Sequence, residues 1–254
     1  MYSKRQYRLG EESINYQGSA MKVVEYKNTN NIIVEFQDNY KACVHTAYQE
    51  FQSGRVRNPY YKEIYKVGMI GNKYSAKTPE YKLWYSILTR CFDEKYKDRE
   101  PTYNDVTCCE EWLLFENFYE WLHSQPNFDK WLNNEGWAID KDILIKGNKI
   151  YSPETCCLVP RSVNSLFIKR TRYRGELPIG VIQYYNKFRA RCENTLIGKR
   201  IHLGLYNTSQ EAFCAYKQYK ENLIKDVARI EFDHGNITEK CYDAMMNYIV
   251  EITD

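Results

Sequence analysis

Apolar and charged residues alternate with period two over residues 188–193, which is the pattern of a β-strand with one buried face and one face in water. Residues 179–185 and 200–206 have similar lengths and are rich in β-branched and aromatic residues, and turn-forming residues separate the three segments. The residues expected to face the core from the middle strand are Phe188, Ala190 and Cys192. We therefore predict a three-stranded antiparallel sheet whose other face carries Arg189 and Arg191.

A long helix is predicted directly after this sheet. Thr208 and Glu211 have the spacing of a capping box, in which the hydroxyl and the carboxylate satisfy the first free amides of a helix. The apolar stripe that recurs at three- and four-residue steps consists of Ala212, Tyr216, Tyr219, Leu223, Val227 and Ile230. Such a helix covers one face of the sheet and leaves the other free, so Lys187 and Arg200 are expected on the free face with the two arginines.

The remaining pattern predicts an α+β chain with a small β-rich N-terminal module. Residues 21–26 and 32–36 form a predicted β-hairpin, and a further short strand is expected over 40–45. Helices are predicted from Thr78-Pro79, from near Glu110, and over 162–167 and 236–252. The last helix either packs on the molecule or provides a dimer surface.

The net charge of +3 is distributed unevenly. Residues 161–204 contain ten Lys and Arg against two Asp and Glu, which leaves 26 against 31 in the rest of the 254-residue chain. Basic residues also fill the linker before the sheet, at Arg170, Arg172 and Arg174. A local excess of this kind is typical of a phosphate-binding surface, although solvated basic faces without a ligand are also common.

The nine cysteines are expected to be reduced thiols in a cytoplasmic protein, because no apolar secretory segment begins the sequence. No C-x-x-C spacing is present, so a structural zinc site is not expected. No apolar run is long enough to span a bilayer, and we expect no membrane association.

The sheet and its helix resemble the Apetala-two-type DNA-binding domain. The residues that carry the resemblance are Gly180-Val181, Lys187-Phe188-Arg189-Ala190, Leu203-Gly204, Tyr206, Thr208 and Glu211-Ala212. Members of this family place a three-stranded sheet in the major groove of double-stranded DNA. The resemblance therefore implies that Arg189, Arg191, Lys199 and Arg200 contact DNA.

The middle of the chain resembles the HNH endonuclease module, a ββα arrangement that holds a divalent metal. The residues that carry this second resemblance lie in 81–118 and in the strings 137–144, 147–148, 151–156 and 159–160, followed by Asn164. It implies that Asp140 is a metal ligand, that Lys141 occupies the position of the general-base histidine, and that Asn164 orients the site. Asp142, two residues beyond Asp140, is a second candidate ligand for Mg²⁺ or Mn²⁺ if both lie on one strand.

The sequence departs from the HNH pattern at the residue that performs the chemistry. No histidine lies between His123 and His202, and a lysine ammonium is already protonated at neutral pH, so it accepts a proton only if burial removes its charge. Two interpretations stay open. One is a divergent metal-dependent nickase, and the other is a retained scaffold without a cofactor, in which the two aspartates pair with Lys141, Lys146 or Lys149.

The sequence thus predicts three modules, over residues 1–66, 67–169 and 170–254. The predicted function is that of a DNA-binding protein related to phage or mobile-element HNH homing endonucleases, with weakened or lost nuclease activity. The alternative is an interaction protein, such as a phage-encoded inhibitor, that binds a host defence protein or nucleoprotein. The missing histidines favour that alternative, whereas the local basic charge favours DNA.

Overall fold

A computed structural model of the chain describes residues 8–168 and 175–254. The fold is of the α+β class, as predicted, with an antiparallel sheet near the N-terminus and a three-stranded antiparallel sheet plus helix near the C-terminus. The chain divides into two compact units, Met1–Glu120 and Trp121–Asp254. Among the described residues, no helix has both the length and the apolar character that a bilayer crossing requires.

The secondary structure elements are numbered in chain order. The strands are β1 (Glu12–Ile14), β2 (Ala20–Asn28), β3 (Asn31–Phe36), β4 (Cys43–Thr46), β5 (Thr107–Cys108), β6 (Trp137–Asp140), β7 (Ile150–Tyr151), β8 (Cys157–Pro160), β9 (Val181–Tyr184), β10 (Lys187–Asn194) and β11 (Lys199–Tyr206). The helices are α1 (Tyr48–Gln52), α2 (Pro79–Phe92), α3 (Glu94–Arg99), α4 (Phe115–His123), α5 (Phe128–Leu132), α6 (Arg161–Ser165), α7 (Ser209–Asp233) and α8 (Glu239–Met246).

The first unit begins with a four-stranded antiparallel sheet in the order β1-β2-β3-β4. The predicted hairpin is confirmed as β2 and β3, and the alternating residues of these strands that face α1 are fully buried. The largest side chains of this core that are almost completely inaccessible are Phe36, Phe51 and Met21. The short third strand of the prediction begins later than expected, at Cys43, because Asp38 accepts the amides of Tyr40 and Lys41 and holds a turn there.

Helix α2 begins as predicted, with the Thr78 hydroxyl accepting the Tyr81 amide at 3.2 Å and proline at the first helical position. The prediction of a continuous helix from Glu110 is wrong. A short 3-10 turn spans Glu111–Leu113, Leu114 is extended and forms a bridge with Met69, and the α-helix begins only at Phe115. This pairing removes Leu114 from a helical ladder that its local sequence favours.

In the second unit, β6 and β8 pair antiparallel and lead into the short helix α6. The three-stranded sheet has the order β11-β10-β9, and α7 packs on one face of it. The capping box at the start of α7 is confirmed, since the Thr208 hydroxyl accepts the Glu211 amide while the Glu211 carboxylate accepts the Thr208 amide. The predicted core positions Phe188, Ala190 and Cys192 all pack toward this helix.

Two details of the helical predictions need correction. Ile230, assigned to the buried stripe, is 39% exposed. The last helix is α8 alone and not residues 236–252, because Glu221 accepts the Val250 amide at 2.8 Å and Lys146 donates to the Ile249 carbonyl, which hold the terminal segment in a non-helical path. Cys241 and Met245 of α8 are fully buried against α7, so this helix packs on the molecule.

Candidate nucleic-acid interface

The face of the three-stranded sheet opposite α7 is the candidate interface, and we call it the open face. In an antiparallel ladder, directly paired residues project to the same side of the sheet. Arg189 pairs with Leu205, Arg191 with His202, and Glu193 with Arg200. On the other side, Arg189 pairs with Ile182 and Lys187 with Tyr184. The open face therefore gathers the cationic side chains Lys187, Arg189, Arg191 and Arg200, as the alternation predicts.

A β-bulge decides which basic residue of β11 joins this face. Ala190 pairs with Gly204 and the next residue, Arg191, pairs with His202, so Leu203 is an extra residue in β11. Gly204 has a φ of +130°, a backbone conformation that favours glycine. Without the bulge, strict alternation from Leu205 would place residues 203, 201 and 199 on the open face. The extra residue shifts the alternation and brings His202 and Arg200 there instead.

Lys199, a DNA contact implied by the family resemblance, lies on the opposite side of the sheet. It pairs with Asn194, whose side-chain amide donates to the Tyr219 hydroxyl of α7 at 2.8 Å. Lys199 is exposed at the end of the sheet, but it shares its side with the helix and not with the open face.

Arg189 is held in place by an aromatic ring. Its guanidinium carbon lies 3.6 Å from the centroid of the Tyr184 ring, within the range of a cation–π contact. Its Nε atom is buried and has no hydrogen-bond partner. The stack fixes the plane of the Arg189 guanidinium. Its remaining N–H donors have no acceptor among the described residues. Pairs of N–H donors in one plane match the oxygens of a phosphate and the acceptor edge of guanine.

The cations of the open face lie close enough to repel one another. Burial lowers the pKa of the Arg191 guanidinium, and the positive charges of Arg200 and Arg189 lower it further. Glu193 opposes this effect, and its carboxylate lies 3.4 Å from Arg200, although both side chains are more than half exposed. One acidic group thus faces four cationic ones. A polyanion would relieve this repulsion.

The second predicted site lies at the turn after β6. The Asp140 carboxylate accepts the backbone amides of Asp142 and Ile143 through Oδ1, at 2.7 and 2.8 Å. Burial raises the pKa of the Asp140 carboxyl, and these two hydrogen bonds oppose that rise. Because β6 ends at Asp140, the period-two argument that places Asp142 beside it on one strand does not apply.

Lys141 is one of the few buried cationic side chains, with 9% of its surface exposed. Its ammonium donates to the Asp142 carboxylate at 2.8 Å and to the Asn148 carbonyl at 2.9 Å, and Asn148 in turn donates its side-chain amide to the Lys141 carbonyl. These contacts tie the two ends of the connection after β6 together. They give Lys141 the geometry of a structural ion pair, with its donors directed to protein acceptors.

The residues at this turn do not fit a divalent cation well. One oxygen of Asp140 is occupied by two amides, and the Asp142 carboxylate already has an ammonium beside it. Within residues 8–168 and 175–254, no three His, Cys, Asp or Glu side chains are grouped so as to hold a metal ion. Asn164, the predicted orienting residue, is half-buried on α6. Lys146 pairs with Glu251 and Asp254 and not with either aspartate of the turn.

Arg170, Arg172 and Arg174, predicted to follow the DNA backbone, lie outside the described residues. Sequence reasoning also missed two members of the open face, His202 and Leu205. His202 follows Arg200 by the period of a strand, whereas Leu205 joins this face only because the bulge shifts the alternation. Sequence reasoning missed Tyr184 as the partner of Arg189 as well. The sequence signal for this contact is the two-residue turn between residues 184 and 187, which pairs them across the two strands and so places Tyr184 on the same face as Arg189.

Comparison of the chain with models of protein families, with curated proteins and with solved structures yields no match.

Proposed function

We propose that the chain binds double-stranded DNA through the open face of its C-terminal sheet. The observation that carries this proposal is the register of the sheet, which collects Lys187, Arg189, Arg191 and Arg200 on the one face that α7 leaves uncovered. Four of the ten basic residues in the segment 161–204 lie on this face.

The shape and chemistry of the face suit a duplex. The major groove of B-form DNA is wide enough to admit strands of a sheet, and strands are a known means of reading it. Arginine contacts both phosphates and the guanine edge, so the same side chains serve affinity and sequence reading. The stack of Arg189 on Tyr184 reduces the freedom that the guanidinium loses on binding.

A binding measurement at two salt concentrations tests the proposal. Fluorescence anisotropy with a labelled random-sequence duplex of about 20 base pairs is run at 50 and 200 mM salt, since binding to phosphates releases counterions and weakens steeply as salt rises. We expect saturable binding at low salt and a steep loss at high salt. Absence of binding at 50 mM salt, or an affinity that does not respond to salt, contradicts the proposal and favours the predicted protein-interaction role.

Cleavage of DNA by the turn after β6, with Mg²⁺ or Mn²⁺, remains a prediction of the HNH resemblance. The contacts of Asp140, Lys141 and Asp142 do not add support to it. Incubation of supercoiled plasmid with either metal, followed by gel analysis of nicked product, tests it. Nicking that persists in the double variant Asp140→Asn, Asp142→Asn excludes these carboxylates as metal ligands. Nicking by the wild type that the double variant lacks supports their assignment as metal ligands.

A further inference from the structure

A pocket of about 740 Å³ lies beside the part of β10 that β9 does not pair with. Its lining combines cationic, hydroxyl and apolar groups. They come from α6, from β9 and the segment that enters it, from β10 and the turn after it, from Arg200 of β11, and from α7. The pocket volume falls in the range of small-molecule sites, roughly 300–1,000 Å³.

The decisive residue in this lining is Lys220 of α7. It is only 8% exposed, and within the described part of the chain its ammonium has neither an ion pair nor a hydrogen bond. Withdrawing an ammonium from water without an acceptor is costly, and native proteins almost always pair such a group. Lys141, the comparable buried lysine of the same unit, has two acceptors within 2.9 Å. Lys220 differs in that its side chain is largely buried while its ammonium lines the pocket without a protein acceptor in the described part of the chain.

A second unpartnered group lies in the same lining. The Thr195 hydroxyl is buried and makes no hydrogen bond. Buried hydroxyls are nearly always bonded, so each exception in a native fold calls for an explanation. A buried hydroxyl without an acceptor and the ammonium of a largely buried lysine, both in the lining of one pocket, have a common explanation if the pocket receives an acceptor from outside.

The charges of the pocket define that acceptor. Lys220, Arg191 and Arg200 face one acid, Glu193, among the described lining residues, so the lining carries two net positive charges. A phosphate monoester carries about −1.5 to −2 charges at pH 7 and offers three strong acceptor oxygens, which match the charge and the donors of this lining. A carboxylate brings half that charge. Burial also lowers the pKa of Lys220, and an adjacent anion would reverse this shift.

The size and apolar part of the lining indicate that the phosphate is attached to an organic group. The space of about 740 Å³ far exceeds the volume of a phosphate ion, and Ile179, Val181 and Tyr216 provide an apolar wall. We infer that this pocket binds a terminal phosphate monoester of nucleotide size, with Lys220 and Thr195 contacting the phosphate. The ester is either free or at the 5′ end of a nucleic acid strand. Lys220 and Thr195 lie off the open face, whereas Arg191 and Arg200 belong both to that face and to this lining, so tests at Lys220 and Thr195 distinguish this site from duplex binding.

Isothermal titration calorimetry of the full chain with adenosine 5′-monophosphate, adenosine and inorganic phosphate tests the inference. We expect the nucleotide to bind, adenosine to bind at least about tenfold more weakly, and Lys220→Met to weaken nucleotide binding at least about tenfold, since a buried charge-assisted hydrogen bond is lost. Lys225→Met, which removes the same charge from the same helix outside the pocket lining, is the matched control and should bind as the wild type does.

Two further arms identify the source of the phosphate and guard against misfolding. A single strand with a 5′-phosphate is compared with the same strand with a 5′-hydroxyl, and a preference that Lys220→Met removes assigns the site to strand ends. Thr195→Val, which keeps the side-chain shape, should weaken binding several-fold while the thermal midpoint stays near that of the wild type. The inference is overturned if adenosine binds as well as its phosphate, if Lys220→Met binds as the wild type does, or if no phosphorylated probe binds.

Discussion

Replacing Arg189 and Arg191 together with alanine removes two of the four cationic side chains on the open face. Each phosphate contact contributes about −0.9 to the slope of log affinity against log salt. If all four cations contact phosphates, the affinity of the wild type falls about 150-fold between 50 and 200 mM salt. With two contacts left, the fall is only about 12-fold over the same interval.

The assay is the anisotropy titration at a series of salt concentrations, because the slope counts contacts independently of any sequence preference of the probe. The matched control is Lys199→Ala, Lys225→Ala, which removes the same net charge from positions off the open face. We expect its slope to stay near that of the wild type. Equal slopes in the two double variants would show that binding follows overall charge, and the argument from the sheet register would then be wrong.

Three further predictions concern the stability of the second unit, measured by urea denaturation. Gly180→Ala should destabilise by about 2–5 kcal/mol, because an added β-carbon would overlap the Tyr216 ring and φ is +78°. Gly198→Ala, with φ of +62° and open space around it, should cost only about 1–2 kcal/mol. Asp140→Ala should cost about 1–3 kcal/mol through two lost amide acceptors, and Asp140→Asn much less because it keeps the acceptor. Thr208→Ala should cost about 0.5–2 kcal/mol by removing the helix cap.

The comparison of the wild type with Asp140→Asn also predicts how stability depends on pH. Burial raises the pKa of this carboxyl above its ordinary value of 3.8, so the folded chain binds the proton more tightly than the unfolded chain does. The resulting stabilisation is complete below pH 3.8 and disappears as pH rises through the raised pKa. The wild type should therefore lose stability relative to Asp140→Asn over that interval. A difference that stays constant with pH would contradict the assigned shift, and equal stability of Gly180→Ala and Gly198→Ala would contradict the close approach to Tyr216.

Local pattern alone determined much of the C-terminal sheet and helix. The alternation over residues 188–193 assigned each side chain of β10 to the correct face, because the period of a strand depends on the backbone of that strand only. The capping box located the start of α7 for the same reason, since its bonds join residues three apart. The α+β class followed from these local elements and from the N-terminal hairpin.

Tertiary structure decided the features that depend on distant partners. The bulge at Leu203 and Gly204 exchanges Lys199 for Arg200 on the open face, and it exists only because β11 is paired with β10. Leu114 leaves a favourable helix to pair with Met69, far away in sequence. The burial of Lys220 requires β10 and α7 together, although its position between Tyr216 and Leu223 on the apolar stripe of α7 already places it on the covered side of the helix. A sequence states which groups are present, whereas desolvation and register arise from the neighbours that folding supplies.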